Sequence, residues 1–479
     1  MKLKSLIKRL KQVEIIGNTD IEIKNVEITS KEVTSDCLFI CLKGKENDGH
    51  KFVKEAERYG AVAIVCEKKL DTTLTQIIVK DSRVALSIIA SEFYGRVDKK
   101  LKIVGVIGTN GKTTTSHMIY KILKNTGYNV GLIGTIGTFY GDNYIENSLT
   151  TPDPLEFHKT LYDMVESGVE VVVMEVSAHA IYHNKLYGID FEIGVFTNFS
   201  QDHLDFFGNM ENYKNTKLKF FENNKCKYVV SNSDDEVGRI ISQKAKNTIT
   251  YGLENPADTF AIELKERSSH YNFILNLFDC IYDVNLYFKG KHNVYNALGA
   301  LTACSLLGVE IKKAVAELSK IKGVEGRLEC VYSEDFDVYV DYAHTPDGLE
   351  KSLTALKSKD GKLICVFGCG GNRDNDKRKK MGEISGEFAD FSVITSDNPR
   401  FEEPMSIIRE IEEGVIKKTK KYVLIEDRTE AIKYALNLAR EKDSVLVAGK
   451  GSEKYQEILG IKTPYNDKDT IEEILRGNQ

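Results

Sequence analysis

A glycine-rich loop carries the most specific chemistry in the sequence. Residues 105–114 read GVIGTNGKTT, and they follow the apolar run KIVGVIG and precede the helix-like segment TTTSHMIYKILKNTG. Glycines in such a loop let backbone N–H groups converge on phosphate oxygens, and the N-terminus of the following helix favours anions. We therefore expect Lys112 to reach the β- and γ-phosphates of a nucleotide and the Thr113 hydroxyl to hold Mg²⁺.

The spacing of this loop narrows the class of protein. Val106 stands where the usual pattern has its first glycine, so a tight turn with an incidental lysine is the alternative to a phosphate site. A guanine-reading N-K-x-D motif is missing, because the nearest string, residues 224–227, is NKCK. A GTPase switch is therefore disfavoured, whereas a kinase and a ligase both stay open.

A carboxylate and an imidazole follow two further strand-like runs. Glu175 lies near the end of VVVMEV, and His203 follows GVFTN in the string NFSQDHLD. Both positions are strand ends of one predicted sheet, and an acidic oxygen with an imidazole suits a divalent metal ion. Alone, each residue would be an ordinary helix-capping glutamate or loop histidine. Together with a phosphate loop they favour a metal site.

The elements that must position these residues alternate between strand and helix. Alternation of this kind predicts an α/β fold with parallel sheets, in which ligands bind beyond the carboxyl ends of the strands. We predict three domains, 1–99, 100–331 and 332–479, with a polar linker near 96–100. Residues 257–288 have the pattern of paired β-strands, and HNVYNALGALTACSLLG has helical spacing.

Composition excludes several other classes of protein. The 479 residues include 66 basic and 71 acidic side chains, a balance that argues against a nucleic-acid binder. No apolar run approaches the ~18–20 residues that span a bilayer, and lysines interrupt the N-terminus, so neither a membrane span nor a secretory signal is predicted. The nine cysteines show no metal spacing, which favours reduced thiols and a cytoplasmic protein.

Nine motifs in a fixed order carry a resemblance to a known family. They are GTNGKTTT, MEVSAHA, FTNFSQDHLDFFG, HNVYNALGA, GRLE, DYAHTPDGL, GCGGNRD, SDNPR and GKGSEKYQ. The chain thereby resembles the Mur ligases of peptidoglycan synthesis, most closely the members that add the third amino acid. This implies three domains, with a P-loop central domain and a Rossmann-like C-terminal domain. It also implies a monomer that uses ATP and Mg²⁺ to join an amino acid to a UDP-muramyl peptide through an acyl phosphate.

The resemblance implies roles for residues that their surroundings alone do not assign. Lys217 would be a carbamate that binds metal with Glu175 and His203, although it would otherwise belong to a solvated face with Lys214 and Lys219. The implied nucleotide contacts are Gly108, Thr109, Asn110, Gly111, Lys112, Thr113, Thr114, Asn293, Asn296, Arg327 and Asp341. The implied UDP-muramyl contacts are Ser30, Thr150, Thr151, Ser177 and Lys185. Locally, helix capping would explain the two asparagines and a strand-end turn would explain Asp341.

The string DNPR, residues 397–400, bears on which amino acid is added. Diaminopimelate has a carboxylate at its distal end, whereas lysine has only an ammonium. Arg400 can grip that carboxylate in a bidentate fork and repel an isolated ammonium, so it favours diaminopimelate. The implied amino-acid contacts are Arg373, Asp397, Asn398, Pro399, Arg400, Gly449 and Glu453, the last of these for the distal ammonium. The alternative for Arg400 is a solvated side chain after a turn.

Three positions depart from the family pattern and leave alternatives open. Lys31 replaces an arginine of D-S-R, and His183 and Lys185 replace a glutamine and an arginine. Lysine lacks the fork of arginine, so the contacts with the UDP-muramyl acceptor are partly altered. The alternatives are a lysine-adding ligase, a related ligase with another acceptor, and a nucleotide-dependent regulatory or scaffold protein.

Overall fold

The structure is a computed structural model that describes residues 1–44, 47–267 and 270–477. The strands are β1 Glu14–Ile16, β2 Asn25–Glu27, β3 Cys37–Ile40, β4 Ala61–Cys66, β5 Thr75–Ile78, β6 Lys102–Ile107, β7 Val130–Ile133, β8 Thr138–Tyr140, β9 Asn143–Ile145, β10 Val171–Val176, β11 Phe191–Phe196, β12 Cys226–Asn232, β13 Thr248–Gly252, β14 Thr259–Glu266, β15 Tyr271–Leu277, β16 Cys280–Leu286, β17 Glu329–Ser333, β18 Asp337–Asp341, β19 Leu363–Phe367, β20 Phe391–Ile394, β21 Tyr422–Leu424, β22 Ser444–Ala448, β23 Tyr455–Ile458 and β24 Ile461–Pro464.

Sixteen α-helices are present in the described part of the chain. They are α1 Leu3–Leu6, α2 Val53–Tyr59, α3 Ser82–Phe93, α4 Lys112–Asn125, α5 Pro154–Glu166, α6 Ala178–Tyr182, α7 Leu204–Phe207, α8 Met210–Leu218, α9 Glu236–Lys244, α10 Lys291–Leu306, α11 Ile311–Leu318, α12 Pro346–Leu356, α13 Asp376–Phe388, α14 Pro404–Val415, α15 Arg428–Leu438 and α16 Asp467–Gly477. None of them is long and apolar enough to cross a membrane.

The chain forms two compact units. The first comprises Met1–Gly105, Tyr128–Glu192 and Lys225–Lys227, and the second comprises Val106–Gly127, Ile193–Asn224 and the chain from Tyr228 onward. The predicted domain boundaries at 99 and 331 stay predictions. All nine cysteines are free thiols, and seven of them are buried.

The first unit contains a five-stranded sheet in the order β1-β5-β4-β3-β2. Successive residues of β3 pack into different apolar clusters, Leu38 and Ile40 into one and Cys37 and Phe39 into the other. Burial on both faces explains why its sequence, CLFI, is continuously apolar. In the same unit β7 pairs in parallel with β10 and antiparallel with β8.

The predicted linker near residue 96 is an ordered turn. Val97–Lys100 is a 3-10 helix, and Asp98 within it is buried and accepts a hydrogen bond from the Ser91 hydroxyl at 3.0 Å. Lys99 forms an ion pair with Asp190 at 2.7 Å. Part of the polar composition of this segment is therefore explained by internal pairing, while Lys99 and Lys100 are exposed.

The second unit contains the six-stranded sheet β17-β18-β22-β19-β20-β21. All its neighbours pair in parallel except β17 and β18. In β22, Val445 and Val447 pack into one apolar cluster and Leu446 and Ala448 into another. The predicted paired strands of 257–288 are β14, β15 and β16, which are antiparallel. The α/β class and the parallel C-terminal sheet are thus confirmed.

Candidate active site

The glycine loop follows β6 and leads into α4, as its sequence predicts. Gly111 precedes the helix with a φ of 83°, a left-handed conformation that favours glycine. Any Cβ at this position would collide with the Asn296 side chain, so the loop and α10 approach closely. The Lys112 ammonium donates to the carbonyl oxygens of Gly108 at 3.1 Å and Thr109 at 2.9 Å. The lysine therefore folds over its own loop, where a phosphate could accept the same protons.

The two asparagines of α10 are buried and do not cap that helix, and Asn296 is the one that approaches the loop. The helix begins at Lys291 after Gly290, so the capping interpretation is wrong. Asn296 donates to Asn293 at 2.9 Å and accepts from the Thr115 hydroxyl at 3.2 Å. Their contact with adenine stays a prediction.

Arg327 reaches the start of α4. Its Nη2 donates to the Thr113 hydroxyl at 2.9 Å, its Nη1 donates to the Gly326 carbonyl at 3.2 Å, and its guanidinium lies 4.3 Å from the Tyr342 ring centroid. Thr114, the next residue of the loop, is buried. The structure thus brings together the arginine and the threonine that the resemblance assigned to the nucleotide.

Asp341 is the last residue of β18, and the charge of Arg327 acts on its carboxylate. It accepts from the backbone N–H groups of Leu328 at 2.6 Å and Ala343 at 2.9 Å, and from the Ser352 hydroxyl at 3.0 Å. Burial raises its pKa, although the charge of Arg327 and these donors oppose the shift. These bonds fix the turn that follows β18, and a ribose contact stays a prediction.

The carboxylate of Asp347 also lies at the phosphate loop, and the sequence did not predict it. The Asn110 amide donates to Asp347 at 2.7 Å, and Ser200 donates to the same carboxylate at 3.4 Å. Asp347 belongs to the first turn of α12, within the motif DYAHTPDGL, where an acidic residue is explained equally well by helix capping preferences. The contact ties the phosphate loop to the C-terminal sequence.

Lys217 is buried, so the solvated-face interpretation is wrong. Its side chain is 1% exposed, and its ammonium lies 4.5 Å from the Tyr213 ring centroid. Burial lowers its pKa well below the usual range and Lys112 lowers it further, against the opposing charges of Asp202 and Asp235. The amine is therefore held toward its neutral form.

His203 immediately precedes the short helix α7. It lies beside the buried Asp202, as does a histidine from farther along the chain. Its Nε2 is 3.2 Å from Asp202, and the His344 Nε2 is 3.8 Å from the same carboxylate oxygen. Burial raises the pKa of Asp202, but His344, His203 and Lys377 outweigh it and lower that pKa far below its usual range. Within the described residues, no group of three or more His, Cys, Asp or Glu side chains could hold a metal ion.

In the first unit, Glu175 belongs to a hydrogen-bonded group that contains three of the five predicted UDP-muramyl contacts. Its carboxylate accepts from the Thr135 N–H at 2.8 Å and the Thr135 hydroxyl at 3.1 Å, and that hydroxyl is 3.0 Å from Thr150. Thr151 donates to the Glu175 carbonyl at 2.9 Å and accepts from the Ser177 N–H at 3.0 Å. Glu175, Thr150, Thr151 and Ser177 thus form one hydrogen-bonded group.

Two substituted positions of the first unit have partners of their own. Lys185 forms an ion pair with Asp153 at 2.9 Å. Burial, with a smaller contribution from the charges of Arg83 and Lys185, lowers the pKa of His183 to about 4. Ser30 donates to Glu55 at 2.6 Å, which is a contact within the N-terminal sheet region. Their roles toward a UDP-sugar stay predictions.

The loops after β20 and β22 form a buried polar network in the second unit. Asn398 donates to Glu453 at 2.9 Å and accepts from Lys450 at 3.0 Å, and Lys450 is 3.2 Å from Glu453. Lys450 is fully buried, and sequence analysis missed it although it stands between two glycines in GKGSE. This network connects two of the predicted amino-acid contacts.

The other members of DNPR lie against the same network. The Asp397 carboxylate lies so close to Gly449 that a Cβ on that glycine would be 2.5 Å from Oδ2. Burial raises the pKa of Asp397, but the charges of Lys450 and Arg428 outweigh it, and the net shift is downward. Pro399 precedes Arg400, whose guanidinium donates to the Gly371 carbonyl at 3.0 Å and lies 3.3 Å from Glu457. The interpretation of Arg400 as a solvated side chain is therefore wrong. Arg373, in contrast, is exposed.

Comparison with family models covers the three predicted parts of the chain in turn. Residues 22–94 match the model described as Mur ligase family, catalytic domain. Residues 106–304 match the Mur ligase middle domain, and residues 326–451 match the Mur ligase, glutamate ligase domain.

Full-length relatives agree with these matches. The chain is 45% identical to UDP-N-acetylmuramoyl-L-alanyl-D-glutamate--2,6-diaminopimelate ligase 1 of Clostridium acetobutylicum, with 99% of each chain covered. It is 43% identical to the corresponding ligase of Clostridium tetani, again over 99% of each chain.

Several solved structures also resemble the chain, among them two ligases. One, a UDP-N-acetylmuramoyl-L-alanyl-D-glutamate--2,6-diaminopimelate ligase, is 29% identical with a TM-score of 0.71, and the match covers 100% of this chain and 99% of that one. The MurF ligase from Thermotoga maritima in complex with ADP is 23% identical with a TM-score of 0.66, covering 95% and 97%, and shows the fold alone. Matches along nearly the whole chain, together with its phosphate loop, show that it belongs to the Mur ligase family.

Proposed function

We propose that this protein uses ATP to join meso-2,6-diaminopimelate to UDP-N-acetylmuramoyl-L-alanyl-D-glutamate in peptidoglycan synthesis. The observation that carries the proposal is the position of Arg400, on the DNPR loop and beside the Asn398, Lys450 and Glu453 network. The full-length relatives bear the name of the same reaction.

The reaction activates a carboxylate and then forms an amide. The γ-phosphoryl group of ATP passes to the terminal carboxylate of the acceptor, giving an acyl phosphate and ADP. The amine of diaminopimelate attacks the acyl carbon, and phosphate leaves with the bonding electrons as the amine loses a proton. Lys112 would neutralise the charge that develops on the transferred phosphoryl group, and Arg327 would bind a phosphate in place of the Thr113 hydroxyl.

The chemistry of the predicted ligands, rather than a cluster formed in the described part of the chain, supports a proposed role for Mg²⁺. The hydroxyl of Thr113 lies at the start of α4, and the proposed ligand set of Thr113, Glu175, His203 and a Lys217 carbamate is dominated by oxygen donors, which this ion prefers. Mg²⁺ would shield the phosphate oxygens when bound. Lys217 suits carbamate formation because burial lowers its pKa, and the neutral amine is the form that attacks carbon dioxide and then releases a proton.

The amino-acid loops would select diaminopimelate by its distal carboxylate. Arg400 offers a planar set of donors that matches a carboxylate, and its positive charge opposes the distal ammonium of lysine. Glu453 would bind the distal ammonium of diaminopimelate, with Lys450 and Asn398 holding its carboxylate in place.

A phosphate-release assay tests this proposal. The protein is supplied with ATP, Mg²⁺, the UDP-muramyl dipeptide and either diaminopimelate or lysine. We expect phosphate release that needs the dipeptide and is faster with diaminopimelate. Faster turnover with lysine would contradict the specificity.

A second candidate, a related ligase for another carboxylated acceptor, is favoured by the Lys185–Asp153 pair in place of a forked arginine. Phosphate release with a non-UDP acceptor and none with the dipeptide would support it. ATP binding with no amide product from either diamino acid would instead support a regulatory protein.

A further inference from the structure

Glu457 lies beside the arginine to which the proposed function assigns the distal carboxylate. The Glu457 carboxylate is 3.3 Å from the Nε of Arg400, and both side chains are about one-fifth exposed, at 19% and 20%. The opposite side of the guanidinium donates from Nη1 to the Gly371 carbonyl at 3.0 Å. Within the residues that the structure describes, these are the side-chain partners of Arg400, so Nη2 keeps its hydrogens for a ligand.

The backbone around Glu457 also fixes the backbone of Arg400. Arg400 has a φ of 53°, a left-handed conformation that is uncommon for a residue with a side chain. Its N–H donates to the Glu457 carbonyl at 3.1 Å, and its carbonyl accepts from the Leu459 N–H at 2.6 Å. Such conformations persist where the surroundings over-determine them, and the end of β23 together with the turn after it supplies those surroundings here.

Glu457 has a third contact with the same loop. Its N–H donates to the Asn398 side-chain oxygen at 2.9 Å, and Asn398 in turn donates to Glu453. One residue thus holds the side chain of Arg400, its backbone and the neighbouring asparagine. Gly370 leaves room for this arrangement, because a Cβ there would lie 2.8 Å from the Arg400 Nη1.

We propose that Glu457 is a positioning residue that sets the preference for diaminopimelate by holding Arg400 in its carboxylate-binding orientation. This inference rests on the proposed function. An arginine side chain has many rotamers, and restricting them before binding removes an entropic cost from the binding step. Glu457 acts through Arg400 and has no contact with substrate, so it affects recognition of the diamino acid and leaves phosphoryl transfer alone.

The variants Glu457→Ala and Glu457→Gln test the inference with steady-state kinetics. Removing one partner of a charged pair makes us expect the KM for diaminopimelate to rise about ten-fold or more in Glu457→Ala. The kcat and the KM values for ATP and the UDP-dipeptide are expected to stay near wild type, and the preference over lysine is expected to fall. Glu457→Gln keeps the size of the side chain and a polar oxygen near Nε but loses the charge, so a smaller rise is expected.

Two controls separate positioning from a general structural effect. Glu472→Ala removes another glutamate–arginine pair, Glu472 with Arg476 at 2.8 Å in α16, and is expected to leave every constant unchanged. In an Arg400→Ala background, Glu457→Ala is expected to have no further effect on the KM for diaminopimelate, because the group through which it acts is gone.

Defined results would overturn the inference. An unchanged or lower KM for diaminopimelate in Glu457→Ala would mean that Glu457 does not position Arg400, or that it competes with the substrate. Additive effects of the two substitutions would mean that Glu457 acts independently of Arg400. Either result with an active, diaminopimelate-using wild type refutes this inference alone, whereas a wild type that gives no product with diaminopimelate refutes the proposed function.

Discussion

Two arginines of the second unit, Arg327 and Arg400, lie in opposite kinds of surroundings. Arg327 donates to a threonine hydroxyl and a backbone carbonyl and stacks on Tyr342. Arg400 is paired with the carboxylate of Glu457 and is fixed through its backbone as well. An arginine loses less free energy when it leaves neutral acceptors for a phosphate than when it leaves a paired carboxylate. The comparison indicates that Arg327 changes partners when a nucleotide binds, whereas Arg400 is oriented beforehand.

The largest expected effect lies on the nucleotide side of this comparison. Lys217→Ala is expected to lower kcat by about 1,000-fold or more, because it removes the group proposed to hold metal at the transferred phosphoryl. A small carboxylic acid added to the assay should restore part of the activity by replacing the carbamate. Full activity of Lys217→Ala without that acid would contradict the carbamate assignment.

Arg400→Ala tests the amino-acid side. The KM for diaminopimelate is expected to rise about 100-fold, because a charge-assisted pair with the distal carboxylate is lost. The KM for ATP is expected to stay unchanged, and Arg400→Lys should recover little because lysine lacks the fork. A normal KM for diaminopimelate in Arg400→Ala would mean that another group binds this carboxylate.

Arg327→Ala gives the reciprocal result. We expect the KM for ATP to rise about ten-fold with an unchanged KM for diaminopimelate, because only a partly exchangeable phosphate contact is lost. Arg476→Ala, on the surface of α16, is the matched control. If Arg327→Ala alters the KM for diaminopimelate instead, the two arginines do not have separate roles.

A buried histidine of the first unit gives a smaller effect, on stability alone. Both ring nitrogens of His158 are buried without a hydrogen-bond partner in the described chain, and burial lowers its pKa to about 4. Between pH 6.5 and 4 this histidine binds a proton in the unfolded chain but not in the folded chain. The free energy of unfolding therefore falls as the pH decreases from 6.5 to 4. Between pH 7 and 5, the free energy of unfolding measured in urea should fall by about 1–2 kcal/mol less in His158→Phe than in wild type. An equal fall in the free energy of unfolding in wild type and in His158→Phe would show that other groups cause this pH dependence.

The sequence predicted the elements whose patterns are local. The strand before the phosphate loop, the helix after it and the paired strands of 257–288 all have local patterns in the sequence, and the structure contains them. The loop that carries DNPR follows the buried strand β20.

Contacts between distant segments could not be predicted in this way. Lys217 stands in the polar stretch MENYKNTKL, whose composition indicates solvent exposure, and only the packing around Tyr213 buries it. Glu457 lies in a short hairpin whose outer strand is exposed, and its importance depends on a pairing with Arg400 across 57 positions of the chain. Asp347 meets Asn110 across 237 positions. Pairings of this kind depend on the tertiary fold.

A competition assay tests the central claim most directly. Wild-type protein and Arg400→Ala receive ATP, Mg²⁺, the UDP-muramyl dipeptide and equal concentrations of diaminopimelate and lysine, and the products are separated by mass. We expect wild type to form the diaminopimelate product in large excess and Arg400→Ala to lose that excess. A lysine product from wild type, or an undiminished excess of the diaminopimelate product in Arg400→Ala, would contradict the account.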